Sequence, residues 1–178
     1  MKLRTDLLYK ISLSVIFGLI GFFFNFFEIE IFTTDLFSIK LLIGFIFPLL
    51  TSFIWGWKFG LLSALAGGSQ SMWFLRNHEG WPLLYSASVY SFWIVWHGWW
   101  SDWRTRNHIK KWYFSPFVME FYFKILITLG FFTIYPFLFQ LNPPFWNLSA
   151  NSNFIPKSVI FIAVIEQWIC GYILLLFI

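Results

Sequence analysis

Charge is scarce in this sequence: only 11% of its 178 residues are Asp, Glu, Lys or Arg. A soluble domain carries about 25%. Cysteine is almost missing, with Cys170 alone, which excludes a disulfide framework and a cysteine-based metal site. The three histidines, His78, His97 and His108, fall in different segments without metal-ligand spacing. No phosphate loop, nucleophile elbow or dinucleotide fingerprint occurs. No catalytic residue, metal site or cofactor is therefore expected, and the chain is read as a non-enzyme. No pore-filter motif or clear internal repeat points to a channel or a repeat-built transporter. The net charge of +4 does not form a basic face, so nucleic acid is not an expected partner.

Apolar residues are abundant instead. They make up 59% of the chain, and 25% of all residues are aromatic, with 26 Phe and 12 Trp. One small core cannot hide that much apolar surface, so lipid is the expected solvent for the remainder. The apolar runs are long and do not alternate, which argues for helices over barrel strands. Spans of about 20 residues each are predicted at 7–27, 36–55, 59–75, 82–100, 117–139 and 158–178. The expected fold is an all-α, polytopic membrane protein with six transmembrane helices in one integral membrane domain, 1–178.

Lys and Arg gather on the cytoplasmic side of membrane proteins. The basic segments here are the N-terminus (Lys2, Arg4, Lys10), the second connection (Lys58) and the fourth (Arg104, Arg106, Lys110, Lys111). The first connection is acidic, with Glu28, Glu30 and Asp35. Both termini are therefore expected in the cytoplasm. Trp55, Trp57, Trp81, Trp99, Trp100, Trp103, Trp112 and Tyr113 lie near proposed span ends, where amphipathic rings anchor at the headgroups.

Small residues recur every fourth position at Ser52, Gly56, Gly60, Ala64 and Gly68. Such a row lets a neighbouring backbone approach closely, which makes the third span a central packing helix. Pro48 and Pro136 are expected inside spans two and five as kink points. The loop Gln140–Lys157, rich in Pro and Asn, reads either as an ordered outer cap or as a plain connector.

Ionisable groups at membrane depth are costly and mark candidate sites. Lys124 lies about 12 Å from the inner side and Glu166 about 13 Å from the outer side, at 1.5 Å per residue. A Glu166–Lys124 ion pair is the first expectation, with Glu120 as a competitor one turn from Lys124. His97 is placed to meet Glu120 at similar depth, giving a buried polar network of His97, Glu120, Lys124 and Glu166. A ligand site on the outer half is expected from Asn25, Gln70, Trp73, Trp81, Tyr85, Trp146, Asn147 and Glu166. Ser88 and Tyr135 are also candidates for that cavity. Aromatic walls with a few polar groups are what a small ligand requires.

Two stretches resemble known families. In 47–68 an apolar span with Pro48 leads through a short turn with Gly56 and Gly60 into small residues ending at Gly67-Gly68. This is similar to the substrate-binding S components of energy-coupling-factor vitamin transporters. The other stretch pairs Trp93-Ile94-Val95-Trp96-His97-Gly98-Trp99-Trp100-Ser101-Asp102 with Leu141-Asn142-Pro143-Pro144-Phe145-Trp146-Asn147. It resembles the amino-terminal membrane regions of bacterial PAS-containing histidine kinases and diguanylate cyclases. These resemblances imply an S-component-like bundle in the bacterial cytoplasmic (inner) membrane. Signal transduction is the leading expectation: a ligand-binding sensor input module that signals to a cytoplasmic output domain or partner. Transport, as an S component with a coupling subunit, is the alternative, and a structural membrane assembly protein is a third. The implied partners are the lipid bilayer, a small-molecule ligand, an output domain or coupling subunit, and, left open, a second copy in a homodimer.

Overall fold

A computed structural model describes residues 2–33, 38–76, 79–148 and 157–178. Asp35, His78 and the second half of the 140–157 loop lie outside the described residues. The fold is mostly helical. Helix α1 spans Lys2–Asn25. A hairpin of β1 (Ile29–Thr33) and antiparallel β2 (Ser38–Leu41) follows. A 3-10 turn at Ile43–Phe45 leads into α2 (Ile46–Trp55). Gly56 turns the chain at φ 92°, a backbone state that favours glycine. Then come α3 (Trp57–Ser63), a π-turn (Ala64–Gly68) and α4 (Met72–Leu75). The long helices are α5 (Pro82–Arg106), α6 (Pro116–Gln140) and α7 (Lys157–Leu176).

Three segments are long and apolar enough to cross a bilayer: Asp6–Asn25, Pro116–Gln140 and Lys157–Leu176. Helix α6 carries a surface that lipid would suit. Its buried positions include Glu120, Lys124 and Gly130, while Phe121, Ile125, Leu129 and Phe132 are exposed. Its two charged residues point inward among Met119, Phe123, Ile127 and Phe131, and its exposed positions are mostly large and apolar. Helices α5 and α6 both start at a proline, whose missing N–H is harmless there. Ser115 caps α6 by accepting a bond from the Val118 amide at 3.4 Å.

The expected second span is divided. Its first residues, 38–41, pair with 29–33, so the fold holds a small sheet beside its helices. The alternation Glu28-Ile29-Glu30-Ile31 with β-branched residues favours a strand locally. Pro48 falls in the first turn of α2, where a missing N–H is tolerated. The third span is broken by the π-turn, in which the Ser69 amide donates to the Ala64 carbonyl five residues back at 3.0 Å.

Small residues bring α1, α2 and α3 together. A side chain at Gly21 would strike the Gly44 carbonyl at 2.6 Å, and one at Gly67 would strike the Gly18 carbonyl at 2.6 Å. Ser52 belongs to α2 and faces Gly60 of α3 across the Gly56 turn, so the small-residue row is split between two helices. The Ser52 hydroxyl donates to the Ile94 carbonyl of α5 at 2.8 Å.

Candidate functional site

The most enclosed polar group is the Glu120 carboxylate, one turn into α6 and 0% exposed. Its Oε2 accepts from the Trp93 indole at 2.6 Å and lies 2.7 Å from His97 Nε2. An ionised carboxylate only accepts, so Nε2 is the donor in that bond. Oε1 faces Lys124 Nζ at 3.1 Å. The ammonium also lies 5.8 Å from the Trp93 ring centre and 5.7 Å from that of Phe123, within cation–π range. Lys124 thus faces one carboxylate oxygen, and His97 and Trp93 fill the second.

Helix α7 closes this junction through Gly171. A side chain there would meet Lys124 Cε and Nζ at 2.7 Å and collide with the Glu120 carboxylate. Three helices therefore meet on one ion pair, and the third can approach only because residue 171 is glycine. A cavity of about 10 Å³ beside Lys124 is also lined by Tyr90, Gln167 and Cys170. That is room for about one water.

The antiparallel register of α6 and α7 sets Gly171, not Glu166, beside Lys124. Glu166 lies five residues nearer the start of α7, about 7 Å away along its axis. The expected Glu166–Lys124 pair is thus replaced by Glu120–Lys124. Glu166 instead joins an outer cluster. Its Oε1 lies 3.5 Å from Arg76 and accepts from the Lys40 backbone amide at 3.2 Å. Arg76 also reaches Glu79 at 3.7 Å, and the Ser86 hydroxyl donates to Glu79 at 3.2 Å. Lys40 pairs with Glu28 across the hairpin. Beside this cluster Gln167 donates to the Tyr90 hydroxyl at 2.7 Å, and the Tyr90 ring stacks on Phe45 at 4.1 Å.

Apart from Glu166, the expected ligand-site residues separate into four places. Asn25 is structural: its amide donates to the Gly68 carbonyl at 2.9 Å and the Ser71 hydroxyl at 2.8 Å. Tyr85 donates to the Ile127 carbonyl at 2.9 Å and packs against Tyr135, joining α5 to α6. Trp81 and Trp146 pack edge-to-face at 4.6 Å, with Trp73 6.2 Å from Trp146. Asn142 holds this outer segment down: it accepts from the Trp81 amide at 2.8 Å and donates to the Glu79 carbonyl at 2.9 Å. Residues 141–148 are therefore docked on the start of α5. Asn147 lies in the same docked segment, its amide donating to the Pro144 carbonyl at 3.1 Å. Gln70, Trp73 and Ser88 line a groove between the α3–α4 segment and α5.

Arg76, Glu79 and Asn142 were not singled out from sequence, because each reads there as an ordinary loop residue. Only the proximity of Arg76 to Glu79, three positions apart, marks a pair. No group of three or more His, Cys, Asp or Glu suited to a metal occurs among the described residues. Comparison with protein families, curated proteins and solved structures finds no match to this chain.

Proposed function

We propose that this chain is a membrane-embedded sensory input module, crossing the bacterial inner membrane six times with both termini in the cytoplasm. The six passes are α1, the 3-10 turn with α2, the α3–α4 segment, α5, α6 and α7. The basic segments at the N-terminus, around Lys58 and at Arg104–Lys111 support this orientation. The observation that carries the reading is the Glu120 carboxylate, sealed among Trp93, His97, Lys124 and Gly171. Intramembrane ionisable residues are expensive and mark functional sites. Here they sit where three helices meet, and α7 leads from the junction to the cytoplasmic side. A small ligand that binds two arrangements of α6 and α7 unequally would shift their balance, and α7 would pass that shift to an output domain or partner.

The transporter reading shares ligand capture but adds a coupling subunit, for which S components present small residues on their first helix. Gly18 and Gly21 of α1 are occupied internally, against Ser63 and Gly44. That favours the sensor.

A thermal-stabilisation screen tests ligand capture. The purified protein in detergent is heated with vitamins, purines, amino acids, aromatic metabolites and neutral lipids. A binder at a hundred times its dissociation constant adds about 2.7 kcal/mol. Such a binder should also change amide exchange in 116–124 and 166–176. Silence across the panel from a well-folded sample would move the reading to a structural or partner-binding role.

A further inference from the structure

The groove between the α3–α4 segment and α5 has a volume of about 450 Å³. Ligand sites span about 300–1,000 Å³. Its α5 wall is Leu84, Ala87, Ser88, Ser91, Phe92 and Val95. Steps of three and four place these on one helix face, and the run is about 16 Å long. Leu61, Leu65, Gln70 and Trp73 form the other wall. The floor is closed by Ser91, whose hydroxyl donates to Ser69 at 2.8 Å. The π-turn accounts for the opening. It commits Gly67 and Gly68 to α1 and α2, against Gly18 and Pro48, and leaves Leu65 turned outward.

The groove is graded from end to end. Leu61, Leu65, Phe92 and Val95 make the inner part apolar. Gln70, Ser88 and the Trp73 indole supply donors and acceptors at the outer part, and the Gln70 and Ser88 side chains make no hydrogen bond among the described residues. Among the described residues no charged side chain lines it. The nearest guanidinium in sequence, Arg76, is held between Glu79 and Glu166. Leu65 and Phe92 are at least half exposed, so the groove opens sideways to the lipid-facing surface.

We propose that this groove binds a neutral, single-tailed amphiphile drawn from the outer leaflet. The tail lies along Leu61, Leu65, Phe92 and Val95. A hydroxyl or carbonyl head meets Gln70, Ser88 and Trp73. A charged head is disfavoured, because burying it without a counter-charge is costly. The proposal rests on the reading of the chain as a ligand-binding module and names the class of its ligand.

The test uses the full chain in phosphatidylcholine nanodiscs with an oleyl alcohol analogue carrying a photoreactive diazirine in its tail. Labelled peptides are mapped by mass spectrometry. Label should concentrate at 61–65 and 92–95 and be displaced by unlabelled oleyl alcohol but not by equal oleate. Ser88→Trp fills the outer part from an exposed position and should cut that labelling by about tenfold, equivalent to about 1.4 kcal/mol. Thr133→Ala, exposed on α6 and away from both the groove and the ion pair, should leave it unchanged. Label spread evenly over the outer faces of α1, α6 and α7, or unaltered by Ser88→Trp in a folded sample, would overturn the proposal. A water-soluble binder in the thermal screen together with even labelling would remove this proposal and leave the sensory module standing. Saturable groove labelling with no exchange response at 116–124 and 166–176 would support the site and remove the sensory role.

Discussion

Two clusters of charge sit at different depths in this bundle, and they are built differently. In the outer one Arg76 is 33% exposed, Glu79 11% and Glu166 13%, and the two ion pairs that Arg76 makes are loose at 3.5 and 3.7 Å. It draws on β2, the turn after α4, and α7. In the inner one Glu120, Lys124 and His97 are at most 4% exposed, and the contacts tighten to 2.6–3.1 Å. It draws its polar groups from α5 and α6, with the backbone of α7 pressed against them. Where solvent reaches a charge, its partners can be approximate. Where solvent is excluded, both carboxylate oxygens must be matched, since a buried charge without a partner is heavily penalised. The inner cluster is therefore the more sensitive to any change in helix position, and that sensitivity suits a switching element.

Substitutions sharpen this contrast, and the largest effect belongs to Glu120→Ala. It strands the Lys124 ammonium in an apolar surround and should cost about 3–5 kcal/mol. Sodium dodecyl sulfate unfolding in mixed micelles reads that loss, and adding Lys124→Met should restore part of it. Gly171→Val comes next. The new side chain collides with the ion pair, and overpacking of this kind costs about 1–3 kcal/mol. The smallest effect is expected for Arg76→Gln, at about 1 kcal/mol or less and shrinking further as salt is raised. An Arg76→Gln loss as large as that of Glu120→Ala would erase the distinction between the clusters.

The long apolar runs made α1, α6 and α7 legible from residues alone, because 20 apolar residues in a row have few other uses. The hairpin was not legible, since Leu41, Leu42 and Ile43 join its second strand to the next helix in one apolar stretch. Period and composition do not mark where a strand ends inside such a run. The Glu120–Lys124 contact was visible as a spacing of four, and His97 as a neighbour at similar depth. The misplacement of Glu166 came from depth estimated from the span ends, which says nothing about register or rotation. A five-residue difference in the antiparallel register was enough to hand its expected position to Gly171. The ligand-site residues scattered for the same reason: hydropathy does not fix which way a helix turns.

Two double-mutant cycles in mixed micelles address the organisation of the interior around Glu120 most directly. One combines Glu120→Gln with Lys124→Met, and the other combines Glu166→Gln with Lys124→Met. Residues in direct contact couple by about 0.5–3 kcal/mol, whereas independent sites add within about 0.3–0.5 kcal/mol. A coupling above 0.5 kcal/mol in the first cycle and simple additivity in the second is expected from the geometry. Additivity in the first cycle with coupling in the second would place Lys124 against Glu166 and contradict the junction described here.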